Sequence, residues 1–219
     1  MLELSLPADK KTPLKILCLG AHSDDIEIGC GGTILKLLNN YKNSEVHWVV
    51  FSAIGARTRE AEKSARQFLV HAKRQKIVTR KYKDGYFPYV GGEIKTFFEG
   101  LKKTTTPHLI FTHYRNDFHQ DHRLISELTW NTFRDHLILE YEVVKYDGDL
   151  GNPNLYINLD NMLCKKKVEI IAESFKSQGR KNWFGPDTFY AIMRLRGIES
   201  RAPEKYAEAF YCRKTVLKW

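Results

Sequence analysis

The sequence predicts an α/β fold with a doubly wound, mostly parallel sheet and helices on both faces. Three observations carry that expectation. Apolar runs of strand length alternate with amphipathic stretches of helix length. The clearest runs, Leu14–Leu19, Glu45–Ile54 and His108–His113, show little polar interruption, as expected of strands covered on both faces. Two strands end in loops crowded with His and Asp, and the carboxyl ends of strands are where open parallel sheets place their ligands.

A polar lead precedes the first strand, in which Leu14, Ile16, Leu17, Cys18 and Leu19 are buried and Gly20-Ala21 supplies the small residues for a sharp turn. Gly29, Gly31 and Gly32 lead into a helix with Ile34, Leu35, Leu37 and Leu38 on its apolar face, and Asn39–Asn43 reads as its exit loop. The second strand, Glu45–Ile54, is rich in β-formers, among them Val46, Trp48, Val49, Val50 and Phe51. A second crossover helix runs over 57–72, with Ala61, Ala65, Phe68, Leu69 and Ala72 at helical spacing. Lys76–Arg80 reads as a short third strand, and a turn-rich stretch with Gly85, Pro88, Gly91 and Gly92 leads to a helix at Ile94–Leu101. After the strand His108–His113, Arg123–Leu139 has the length and period of a helix. Glu140–Gly148 and Leu155–Leu159 read as further strands and Met162–Ser174 as a helix. Gly185–Arg196 and Pro203–Tyr211 read as two short helices at the sheet's edge or the mouth of the site. The pattern contains no repeat, and 219 residues fit one domain, 1–219. Such alternation makes the architecture Rossmann-like.

Composition narrows the class of function. No apolar stretch approaches the roughly 18 residues that span a bilayer. Residues 1–13, MLELSLPADKKTP, lack the basic start and apolar run of a signal peptide, so a cytoplasmic protein is expected. Cys18, Cys30, Cys164 and Cys212 form no CxxC pair, which argues for free thiols over a disulfide frame or a thiolate zinc site. The net charge of +9 comes from Lys and Arg spread along the chain without a nucleic-acid-binding signature, so no nucleic-acid partner is expected. Positive balance of this kind favours anionic small substrates. Self-association into a homo-oligomer is left open.

The chemistry is concentrated in two loops. His22, Asp24 and Asp25 fall within four positions after the first strand, and His113, Asp117, His119, Asp121 and His122 fall within ten after the strand His108–His113. Catalytic zinc takes three ligands of the His/Asp/Glu type and keeps a position for water, and two strand-end loops on one sheet supply that set with spares. Asp24 has a competing role as a helix cap. Gly29-x-Gly31 is a fragment of the dinucleotide fingerprint, but Ile34 stands where its third glycine belongs and His-Asp-Asp occupies the pyrophosphate turn. The glycines read instead as packing positions.

The two motifs carry a family resemblance. Ala21-His22-Ser23-Asp24-Asp25-Ile26 is similar to Ala-His-Pro-Asp-Asp-Glu, and His119-Gln120-Asp121-His122 matches His-x-Asp-His, the signatures of the PIG-L/LmbE-like zinc-dependent de-N-acetylases. Weaker similarities lie at Arg59–Glu62, at Ser177-Gln178 and at Tyr206–Phe210. Ser23 replaces proline and Ile26 replaces glutamate, with Glu27 next door. The resemblance implies that His22, Asp25 and His122 bind Zn2+, or another divalent ion such as Fe2+. It further implies that Asp24 is the general base on the activated water. His119 would act as imidazolium on the oxyanion or the leaving amine, with Asp121 orienting and charging it. Arg59, Arg57 and Asp117 are candidate substrate contacts, although Arg59 also reads as a solvated helix charge and Asp117 as a loop-turn residue.

These readings lead to a metal-dependent hydrolase that removes an N-acetyl group from an amino-sugar-containing small molecule, plausibly nucleotide-linked or phosphorylated. Arg57, Arg59 and the Lys145–Asn154 loop would hold the anionic part. A metal amidase or deformylase on a non-sugar N-acyl metabolite is one alternative. A non-catalytic sugar- or nucleotide-binding module is another, disfavoured because binding alone needs no base.

Overall fold

The computed structural model describes residues 12–216, so the first eleven residues of the polar lead, on which the signal-peptide reading rested, lie outside the described residues. The elements run β1 (Leu14–His22), α1 (Asp25–Asn40), β2 (Ser44–Ser52), α2 (Ala56–Phe68), β3 (Arg74–Thr79), α3 (Gly91–Thr104), β4 (Leu109–His113) and α4 (Gln120–Thr132). They continue as β5 (Leu137–Tyr141), β6 (Leu155–Leu159), α5 (Asn161–Ser174), α6 (Pro186–Glu199) and β7 (Tyr206–Cys212). Short 3-10 turns at Phe87–Val90 and Lys176–Gln178 precede α3 and follow α5.

All seven strands form one sheet in the order β3-β2-β1-β4-β5-β7-β6. The pairs β1 with β2, β1 with β4, β2 with β3 and β4 with β5 are parallel, while β7 runs antiparallel between β5 and β6. The chain builds outward from β1 to β3, then crosses back to lay β4 on the other side of β1. That reversal is the switch point at which α/β sheets bind ligands.

Helices cover both faces. Ile16 and Cys18 of β1 point into a core closed by α1, α2, α5 and α6. Leu17, Leu19 and Ala21 point into a second core with Phe98 of α3 and Ile125 of α4. Burial on alternate sides explains why the strand reads as a continuous apolar run. A Cβ on Gly29 would lie 2.1 Å from the Tyr141 ring, and one on Gly32 would lie 2.5 Å from Leu159, so these glycines let α1 lie against β5 and β6.

Several boundaries differ from the sequence expectation. β1 continues through Gly20 and Ala21 to His22, because its pairing with β2 extends to His22 opposite Ser52. The turn falls at Ser23-Asp24 instead. The second crossover helix stops at Phe68, short of Ala72. Arg123–Leu139 is not one helix: α4 ends at Thr132, and Leu137–Leu139 begin β5, paired with Leu109–Phe111. Of Glu140–Gly148, only Glu140 and Tyr141 are strand. Pro203–Tyr211 is not helical either, for Tyr206–Cys212 is β7, a strand bonded on both sides. Tertiary pairing overrides the helix preference of its Ala-Glu-Ala centre.

Candidate active site

The site forms where β1 and β4 lie side by side. β1 delivers His22 at its carboxyl end, and Asp25, the first residue of α1, folds back so that its Oδ2 accepts the His22 backbone N–H at 2.6 Å. β4 ends at His113, the following loop carries Asp117, and α4 begins after His119, so that His122 lies in its first turn. All of these side chains are buried except that of His119, which is partly exposed.

Three donor atoms converge. His22 Nδ1 lies 3.1 Å from His122 Nε2 and 3.4 Å from Asp25 Oδ2, and His122 Nε2 lies 3.5 Å from the same oxygen. Bonds of about 2.0–2.1 Å to a tetrahedral zinc place ligand atoms about 3.3 Å apart, so the set fits such an ion. The other nitrogen of each ring is held by carboxylates. His22 Nε2 lies 3.0 Å from Asp84 Oδ1 and 3.2 Å from Asp121 Oδ2, while His122 Nδ1 lies 2.9 Å from Asp117 Oδ2. Those acceptors hold a proton on His22 Nε2 and on His122 Nδ1, so the two facing nitrogens are the ones a metal ion would take.

Neighbouring groups are engaged elsewhere. His113 Nε2 lies 3.2 Å from Asp25 Oδ2, but it accepts the Ala21 N–H at 2.9 Å. His119 Nδ1 caps α4 by accepting the Asp121 N–H at 3.2 Å. Donor atoms of His22, Asp84, His119 and Asp121, of His22, His119 and His122, and of Asp25, His113 and His122 also cluster within 4.8 Å. The capping bond on His119 and the amide bond on His113 make those groupings weaker ligand sets than His22, Asp25 and His122.

Electrostatics follow the geometry. Although burial opposes it, the Asp25 carboxyl is held well below the ordinary range by His122, His113 and His22. Burial and the charge of His113 push His122 down to about 3. Burial would lower His22 as well, but Asp25, Asp121 and Asp84 outweigh it and raise this group well above 6.5. Asp24 starts α1 without capping it, and its Oδ1 lies 3.3 Å from Arg57 Nη2. Burial and the adjacent Asp25 raise its carboxyl, with Arg57 opposing.

These contacts bear on four sequence readings. Burial, then the charge of His22, lowers His119, and its Nδ1 lone pair is committed to the cap, so Nε2 is the nitrogen that carries the ring's proton. The Asp121 carboxylate does not hold His119; it accepts from Gly85 N at 2.7 Å and Phe87 N at 3.1 Å and faces His22. Asp117 is no open substrate contact, since it lies behind His122 and is 2% exposed. Lys145 is not free for a phosphate, because Asp117, Asp149 and Asp147 surround it. Arg57 lies between Asp24 and Asp84, whereas Arg59 is exposed on α2 and, among the described residues, forms no hydrogen bond or ion pair with the site.

Asp84 and His113 were missed as site residues. Asp84 is a lone acid in a turn-rich stretch, with no spacing signal to tie it to His22 more than sixty residues earlier. His113 was visible in the second loop, and what marks it is its stacking on His122 at 3.9 Å between ring centroids.

Solved structures share the fold. N,N'-diacetylchitobiose deacetylase from Pyrococcus horikoshii is 21% identical with a TM-score of 0.64, covering 94% of this chain and 86% of that one. The zinc-inhibited form of teicoplanin deacetylase Orf2 gives 11% and 0.69, covering 90% and 97%. The 4-carboxy-2-hydroxymuconate hydratase GalB from Pseudomonas putida KT2440 gives 14% and 0.68, covering 94% and 98%. No curated protein matches the chain. Among the described residues no helix is long and apolar enough to cross a membrane. The family described as GlcNAc-PI de-N-acetylase matches residues 17–133, a span that holds both loops and every donor of the converging set. The chain belongs to the PIG-L family.

Proposed function

We propose that this protein, acting as one domain, is a metal-dependent N-deacetylase of an amino-sugar-containing small molecule. The observation that carries the reading is the convergence of His22 Nδ1, Asp25 Oδ2 and His122 Nε2 beside an uncapping Asp24. His22, Asp25 and His122 would hold the ion, with zinc favoured by the two nitrogens and one oxygen and Fe2+ the other candidate. When bound, a divalent ion there supplies Lewis acidity for an amide carbonyl and lowers the pKa of a water to about 7.

The chain's own groups do the rest. Asp24, with its carboxyl raised by burial and steadied by Arg57, takes the proton of the attacking water. His119, with Nδ1 locked by the cap, keeps an Nε2–H to donate to the oxyanion. A C–O bond forms, the C–N bond breaks, and the proton held by Asp24 passes to the departing amine. Acetate and a free amine result.

Phe118 and Tyr146, 65% and 67% exposed and adjacent in sequence to Asp117 and Lys145, offer apolar faces for a sugar ring. With Lys145 neutralised, Lys181, whose charge acts on Asp24, and the exposed Arg59 are candidates to hold an anionic group on the substrate. The test is acetate release from N-acetylhexosamines, free and nucleotide-linked, by protein stripped with chelator and reloaded with Zn2+ or Fe2+. Metal-dependent release supports the reading. Stoichiometric metal without acetate from either class would overturn it, and formate from an N-formyl substrate would favour the deformylase alternative.

A further inference from the structure

We propose that Lys145, in the loop after β5 and beyond the family-matched span, is the residue that positions His122 for metal binding. The proposal rests on the reading of His122 as a ligand. Lys145 has a side chain only 10% exposed, an unusual burial for a lysine without a task. Its Nζ lies 3.0 Å from Asp117 Oδ2 and 2.5 Å from Asp149 Oδ2, with Asp147 Oδ2 at 3.9 Å. That Asp117 oxygen is the one that accepts from His122 Nδ1 at 2.9 Å. Among the described residues Lys145 is the one lysine or arginine within 4 Å of the Asp117 carboxylate.

The arrangement is a three-member clamp. Asp117 Oδ1 is fixed by the His119 N–H at 2.8 Å, and Oδ2 is shared between His122 and Lys145. Lys145 is fixed in turn by Asp149, whose Oδ2 also accepts the Phe118 N–H at 2.7 Å. The loop after β5 is thereby tied to the loop after β4 on both sides of His122's partner. With Lys145 removed, Oδ2 keeps one partner in place of two and the carboxylate can rotate. The bond that selects the ring's rotamer and leaves Nε2 facing Asp25 and His22 is then one arrangement among several. Groups that orient a ligating histidine in this way typically change metal affinity by about 10- to 100-fold when lost.

The experiment measures Co2+ and Zn2+ affinity by competition with a chromophoric chelator, together with the visible spectrum of the Co2+ form, for the parent, Lys145→Met, Asp149→Asn and His122→Ala. The expected result is a Co2+ affinity about 10- to 100-fold weaker in Lys145→Met with a shifted Co2+ spectrum, and a smaller loss in Asp149→Asn, which keeps the Asp117 contact. Parent affinity and spectrum in Lys145→Met, beside a metal-poor His122→Ala, would overturn the role of Lys145 alone. Undiminished affinity in His122→Ala would overturn the ligand reading and the proposal with it. If Lys145→Met yields no folded protein, Lys145→Gln is read instead: it keeps a polar side chain but has no charge to share between the Asp117 and Asp149 carboxylates. A shifted Co2+ spectrum in that variant supports the proposal, and a parent spectrum overturns it.

Discussion

Two buried charged centres adjoin α1, one at its first turn and one along its flank, and they are built on opposite plans. On the flank, Lys167 donates to Glu208 Oε1 at 2.7 Å and to the Ile28 carbonyl at 2.6 Å. Glu208 also accepts from Gly32 N and Thr33 N, so one cation meets one anion and both carboxylate oxygens are engaged. At the first turn, the carboxylates of Asp24, Asp25, Asp84, Asp117 and Asp121 have, among the described residues, two lysine or arginine side chains in ion-pair contact, Arg57 and Lys145, and otherwise face histidines. A closed pair is complete without a ligand, whereas a buried excess of carboxylates over lysine and arginine, set around imidazoles, suits a cation. The comparison separates a centre that holds β7 to α1 from the candidate active site, although both are buried and both are charged.

The largest effect expected from breaking this contrast is at Asp24. Asp24→Asn should lower kcat by about 10³-fold while metal content, measured after dialysis, stays at the parent level. A variant with unchanged turnover would show that the water is activated by another group. On the flank the outcome should invert. Lys167→Met leaves Glu208 buried and unpaired, so unfolding by denaturant is expected to show a loss of about 3 kcal/mol with full metal stoichiometry. Adding Glu208→Gln should restore part of that loss, and equal destabilisation by the double variant would mean that the pair is not the source.

The smallest effect sharpens the contrast with a third kind of group, a buried base that has no ionic partner. His47 Nε2 on β2 is buried without a hydrogen bond, and burial, then nearby Lys76, pushes its pKa down to about 4. The unfolded chain binds this proton near 6.5 and the folded chain near 4, so the contribution is present above about pH 6.5 and is lost as the pH falls toward 4. In chelator-treated protein, the parent should lose about 1 kcal/mol more than His47→Gln between pH 7.5 and 5, a value discounted for partial solvent screening. Parallel melting curves would show that His47 takes up its proton freely in the fold.

What could be read from the sequence follows from the range of each interaction. His22, Asp24 and Asp25 declare themselves because they crowd one turn, and the strand before them is buried on both faces. Asp84 and Lys145 do not, since each reaches the site from a different loop and its partners lie far away in sequence. The helix and strand run together as Arg123–Leu139 are separated by Phe133–His136, a break with neither Gly nor Pro. Tyr206–Cys212 needed its two strand partners to become β7, and no local pattern announces them. Asp117 was visible, but only its 2% exposure and its bond to His122 show that it faces inward.

The switch-point placement has a consequence for how the site comes into being. His22 and His122 are 100 residues apart, and they meet only when β4 docks beside β1 on the side opposite β2 and β3. Closing so long a loop for a parallel pairing is entropically late and slow. In a partly made or partly refolded chain a metal ion would meet His22 and Asp25 three residues apart but not His122, so the proposed set of three is incomplete until that docking. Tight metal uptake would then report that the centre of the sheet has closed, and the ion would be the last piece added to a finished frame rather than the nucleus around which the frame assembles.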